Sequence, residues 1–264
     1  MTSTIHADKI MNSSGDQDSG VDLLVNDQVK LKTANTDRVI VDSSGKVGIG
    51  ILNPASYNVH ADELVVGGTD GNRGITIVGG DDDYSILNLN RYSNTSATPN
   101  GAIEYNHTDN QMYIKAGGNH GVQINSNGTV NKPNNPYFFG GRSAGQTGAG
   151  AIFISNVVQT NTGSHYDTSN GRFTAPVQGR YLCHFKTFSS PQGLTNGHYN
   201  AQLRINNSVI SRFYFYHSGT HFPINWSVIV ELNANDYVTH YLAGSLTVYG
   251  TDWHYAQQGF YLVG

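Results

Sequence analysis

Apolar and polar side chains alternate most regularly between Gly163 and Phe188. Tyr181, Cys183 and Phe185 share one parity, and His184 and Lys186 share the other. Side chains of a strand point to alternate faces, so this pattern predicts a strand with one apolar face. Asn170-Gly171 supplies the left-handed backbone that a tight turn needs, and Pro176 suits a strand end. A short strand over Arg172–Pro176 therefore precedes a longer one entered through Gly179. Similar alternation predicts strands at Tyr137–Gly140, Ala151–Ile154, Tyr199–Ile205 and Val209–Tyr216. Three more follow at Trp226–Leu232, Tyr237–Leu242 and Ala256–Val263. Eight or more short strands in about 128 residues indicate a two-sheet sandwich or jelly roll.

The N-terminal half is also strand-like. Short strands are predicted at Asp22–Val29, Arg38–Val41, Glu63–Gly67 and Gly74–Val78, then at Tyr84–Leu89 and Ala102–Tyr105. No ten-residue window sustains a 3.6-residue period with caps, so no helix is expected and the fold class is all-β. Residues 1–20 are polar and aperiodic and are expected to be an extended attachment segment. Asn131-Lys132-Pro133-Asn134-Asn135-Pro136 favours no regular element, which places a linker at 132–136 between a β-rich segment, 21–131, and a C-terminal domain, 137–264.

The pattern also repeats. Val29-Lys30-Leu31-Lys32 matches Met112-Tyr113-Ile114-Lys115, and residues 39–47 match residues 122–130. The offset is an ungapped 83 residues throughout, Lys32 to Lys115 and Gly45 to Gly128. Each copy reads strand, turn, strand, then a Ser-x-Gly turn. A unit this small cannot bury its own apolar face, so it is expected to stack on neighbours or on other chains.

Composition narrows the function classes. Glycine is frequent (31 residues) and charged residues are only 13%, as suits short strands joined by tight turns under a weakly charged surface. A net charge of −4 gives no electrostatic reason to expect nucleic acid as a partner. The single cysteine, Cys183, excludes an internal disulfide, and its parity makes it a buried small hydrophobe. No apolar run is long enough for a membrane span, and the first twenty residues carry no basic-then-apolar secretory signal.

The C-terminal half resembles the globular head of complement subcomponent q, a tumour-necrosis-factor-like jelly roll. The resemblance is carried by Asn161-x-Gly163-x-x-Tyr166-Asp167-x-x-x-Gly171-x-Phe173-Thr174-x-Pro176-x-x-Gly179-x-Tyr181 and by the closing Gly259-Phe260-x-Leu262. It implies a ten-stranded jelly roll that packs as a homotrimer. The N-terminal half is similar to repeats of bacteriophage fibre and appendage proteins, through Gly45-Lys46-Val47-Gly48-Ile49-Gly50 followed by Asn53-Pro54. That likeness implies an intertwined three-chain stalk and a virion location, with release by host lysis.

Candidate chemistry is sparse. His217 and His221 are four apart, but Ser218-Gly219 between them signals a turn, and no His-x-His or His-Glu-x-x-His pair occurs. Asp81-Asp82-Asp83 reads as an exposed acidic turn. There is no Gly-x-Ser-x-Gly elbow, and glutamate is limited to Glu63, Glu104 and Glu231. No metal, cofactor or catalytic residue is therefore assigned. Alternation in Phe213-Tyr214-Phe215-Tyr216 predicts core on one parity and trimer interface on the other. Aromatics in a turn have less core to fill, so Trp253, His254 and Tyr255 are the candidate receptor-binding residues. Phe173, Tyr181, Cys183, Phe185 and Phe260 are assigned to core or trimer packing. The expected function is a trimeric virion fibre, on head or tail, whose knob recognises a host surface receptor, plausibly a glycan. Its first segment would attach to other virion proteins. A bacterial adhesin with the same head is the alternative, and a polysaccharide depolymerase the enzymatic rival.

Overall fold

A computed structural model describes residues 7–11, 19–24, 27–68, 71–94, 96–147, 150–189, 196–218, 221–244, 246–249 and 252–263. It forms two compact units, Met1–Gly79 and Gly80–Gly264. Most of the expected attachment segment lies outside the described residues. The expected linker falls inside the second unit, where Pro136 O accepts the Leu262 N–H at 3.2 Å. Among the described residues there is no α-helix.

The first unit is one sheet in chain order: β1 (Lys9–Met11), β2 (Gly20–Asp22), β3 (Val29–Thr33), β4 (Thr36–Val41), β5 (Val47–Ile49) and β6 (Leu64–Val66). Two expectations shift here. The run Asp22–Val29 is interrupted, because Asp27 adopts a left-handed φ of 61° and turns the chain before β3. Residues 74–78 form no strand, and Ile75 and Val78 stay 71% and 84% exposed. Alternation alone does not make a strand: among the described residues no neighbouring strand pairs with 74–78.

The second unit begins with a meander, β7 (Tyr84–Leu89), β8 (Gly101–Asn106), β9 (Gln111–Ala116), β10 (Asn119–Ile124) and β11 (Val130–Asn131). The 83-residue repeat is structural as well as sequential. The β3–β4 turn has left-handed Ala34 and Asn35, and the β9–β10 turn has left-handed Gly117 and Gly118. Register slips at Arg38 in one hairpin and at Gly121 in the other, again 83 residues on. Gly45 and Gly128 close equivalent turns at φ 84° and 80°, each donating its N–H three residues back, to Asp42 O and Asn125 O.

The C-terminal domain is a sandwich. Its strands are β12 (Tyr137–Gly141), β13 (Gln146–Thr147), β14 (Ala151–Ile152), β15 (Val157–Thr162), β16 (Tyr166–Asp167), β17 (Arg172–Thr174) and β18 (Gly179–Ser189). After these come β19 (Gly197–Ile205), β20 (Ser208–His217), β21 (Phe222–Leu232), β22 (Tyr237–Ala243), β23 (Thr247–Val248) and β24 (Gln257–Leu262). One sheet has the order β13-β23-β18-β24-β12-β15, with β21 also on β18, and the other β16-β17-β22-β19-β20, with β14 on β22. Strands distant in sequence are neighbours in space, as in a jelly roll.

Tyr181, Cys183 and Phe185 point inward from β18 and are fully buried, as are Phe173 and Phe260. Burial pushes the Cys183 thiol up to about 12, so it is inert as a nucleophile. Phe213 and Phe215 turn toward the core, Phe215 stacked on Phe222 at 4.9 Å, while Tyr214 and Tyr216 face outward. The core also holds a polar chain. His240 lies between Phe185 and Phe260, with ring centroids at 4.9 and 5.1 Å, and its Nδ1 meets Gln258 Oε1 at 2.9 Å. Gln258 Nε2 donates to the Tyr166 hydroxyl at 2.7 Å and to Ser155 Oγ at 3.0 Å.

Candidate functional site

The last residues of β18 organise one end of the sandwich. Tyr249 is drawn there by its N–H, which donates to Phe188 O at 2.8 Å. His221 is set by its Nδ1 at 3.1 Å from Ser189 O, and the next residue's N–H donates to Ser189 Oγ. Trp253–Tyr255 forms a single 3-10 turn capped by Asp252, whose carboxylate accepts the His254 N–H at 3.0 Å and meets His254 Nδ1 at 2.5 Å. Those bonds hold the Asp252 carboxyl below its usual range.

Four rings from these segments enclose a cleft of about 250 Å³, lined by Phe188, His221, Tyr249 and Tyr255. Tyr249 meets His221 edge-on at 4.8 Å, and Tyr255 meets Tyr249 at 5.7 Å and Phe188 at 6.1 Å. Tyr255 is 44% exposed and lends its ring to the cleft wall. Among the described residues the lining is aromatic with tyrosine hydroxyls and carries no carboxylate. Such a surface stacks on flat or ring-shaped apolar faces and hydrogen-bonds at its rim; it does not supply an acid–base pair.

The three residues expected from sequence thus divide. Tyr255 lines the cleft. His254 is exposed on the Asp252 side, and Trp253 turns its ring edge-on to Phe139 at 6.3 Å, half-buried. Phe188, His221 and Tyr249 escape a sequence reading because they lie in three separate segments. Phe188 has the outward parity of β18, the only signal available. His217 and His221 do not act together: His217 is buried beside Tyr199 at 6.0 Å, and His221 belongs to the cleft. Among the described residues no group of three or more His, Cys, Asp or Glu is placed to hold a metal ion.

This two-sheet order, with its core on the inward parity of β18, is joined by a family match. Residues 138–260 match the C1q domain. The C1q-like head thus spans β12 to β24, and its fold is the all-β C1q/TNF-like jelly roll. Among solved structures, the globular domain of zebrafish complement 1qA protein is 16% identical, covering 49% of this chain and 98% of its own, with a TM-score of 0.40. Murine APRIL at pH 5.0 is 8% identical, covering 49% of this chain and 99% of its own, with a TM-score of 0.41. No curated protein matches the chain.

Proposed function

We propose that this chain is a homotrimeric binding protein whose C1q-like head recognises a receptor through the aromatic cleft at the end of β18. The observation that carries this is the convergence of Phe188, His221, Tyr249 and Tyr255, brought together from four segments at a strand end of the sandwich. Rings left half-exposed around an open cleft contribute little to the core and are suited to stacking on a partner, a glycan foremost. Three heads on one trimer would raise avidity through effective concentration without strong single contacts. The reading is one of binding rather than catalysis.

The finer assignment is a bacteriophage fibre protein: residues 1–20 attach it to the virion, 21–131 form the stalk, and 137–264 form the knob. The Gly45–Gly50 phrase and the duplicated sheet support it. Mass spectrometry of purified virions tests that placement. The binding role is tested by Tyr249→Ala and Tyr255→Ala in a competition assay for adsorption to host cells. A tenfold or greater loss of competition is expected, with the head's melting temperature little changed. Undiminished competition by both variants overturns the cleft's role.

A further inference from the structure

Among the described residues, nothing covers one face of each of the two sheets outside the head. In the first, ladder register places Ile10, Val21, Leu31, Val39, Ile49 and Val66 in a row running across all six strands. A second row on the same face joins Val29, Val41, Val47 and Leu64. Leu31, Ile49 and Leu64 remain 45%, 43% and 55% exposed. The opposite face is finished. Lys32 pairs with Asp22 at 2.9 Å and Lys30 with Asp37 at 3.4 Å, while Ile40 and Ile51 are buried on that side.

The second sheet repeats this arrangement. One row joins Leu87, Ile103, Ile114 and Val122, and another joins Tyr105, Met112, Ile124 and Val130. Leu87, Ile114 and Val130 are 48%, 47% and 60% exposed. The polar side again carries the ion pair, Lys115 with Glu104 at 2.5 Å. The offset of 83 residues maps Val29, Leu31, Val39, Val41 and Val47 onto Met112, Ile114, Val122, Ile124 and Val130. Every one of these positions is apolar in both copies.

We infer that these two faces are where copies of this chain meet, the same face of each sheet against its counterpart in the other chains. A single-layer sheet with a continuous apolar face lacks the second layer that stable β structure requires. A patch of this size on a finished monomer marks an interaction surface. The occupant follows from the duplication. Both faces carry the same apolar register, 83 residues apart in sequence, and another copy of this chain offers that register to each of them by construction. The rows hold no charged side chain, so like meets like without repulsion. The inference rests on the trimeric reading above, in which a threefold axis runs the chains parallel and sets equal residue numbers side by side.

Single-cysteine crosslinking of the full chain tests it, because the native Cys183 is buried. Leu31→Cys and Ile114→Cys, with Val29→Cys and Met112→Cys as a second pair, are treated with a flexible bismaleimide and run on denaturing gels. Lys30→Cys and Lys115→Cys report the opposite face. Covalent dimers are expected from the apolar-face cysteines, at a yield that dilution leaves unchanged, and at least fivefold fewer from the two controls. Equal yields from both faces overturn the inference. So does an absence of dimers from both apolar-face pairs while the unmodified protein keeps a trimer's mass, an outcome that leaves the trimeric reading standing. A monomeric mass overturns both.

Discussion

His240 is the histidine whose acid–base behaviour the fold alters most among the described residues. Burial between two phenylalanine rings outweighs its bond to Gln258 and pulls its pKa down from 6.5 to about 4. The folded state therefore keeps it neutral while the unfolded chain takes up a proton, so stability is intact above pH 6.5 and drains away as pH falls toward 4. The full loss is about 3 kcal/mol, at roughly 1.36 kcal/mol per pKa unit. Urea midpoints of the head measured from pH 7 to 4 should show this fall, and His240→Gln should remove most of its slope. Half-buried His165 and His184 are lowered in the same direction and account for a residual slope. At Gly171, φ is 76° and an added Cβ would lie 2.8 Å from both Ile152 Cγ2 and Phe153 O. Gly171→Ala should cost about 1–3 kcal/mol, read as a lowered melting temperature. The turn at Gly171 was legible from Asn170-Gly171 alone. His240 was not, because its burial is created by Phe185, Gln258 and Phe260 from two other strands.

At the scale of elements, the duplicated hairpins show how little sequence a shared backbone needs. The turn Ala34-Asn35 and its counterpart Gly117-Gly118 keep the same left-handed pair of residues, although only the second copy uses glycine. An alanine at φ 48° is strained where glycine is not. Ala34→Gly should therefore stabilise the first unit by about 1 kcal/mol, seen as a higher urea midpoint for that unit. Strand positions in the head were legible because one parity of each is buried in the sandwich. The same alternation misled at residues 74–78, with which no strand pairs among the described residues. The cleft was legible only through Tyr255, since Tyr249 and His221 are brought beside Phe188 from distant segments by bonds to Phe188 O and to Ser189.

At the scale of the molecule, a C1q-like head and two bare-faced sheets share one chain. Sedimentation equilibrium should give a mass near three times 28.6 kDa, with no monomer at micromolar concentration. Substituting the bare faces should weaken that assembly more than substituting the polar sides, whose ion pairs close within one chain.

By itself the sequence determined the local conformations: strands from period-two alternation, turns from Asn-Gly and left-handed glycines, and the 83-residue repeat from matching residues at fixed spacing. These depend on neighbours a few positions apart and so are written in the chain. Tertiary structure alone decided which rings meet at the end of β18, which histidine is stripped of water, and which sheet faces remain uncovered. Each of those depends on strands brought together from distant segments, where burial and register, not local pattern, set the energy.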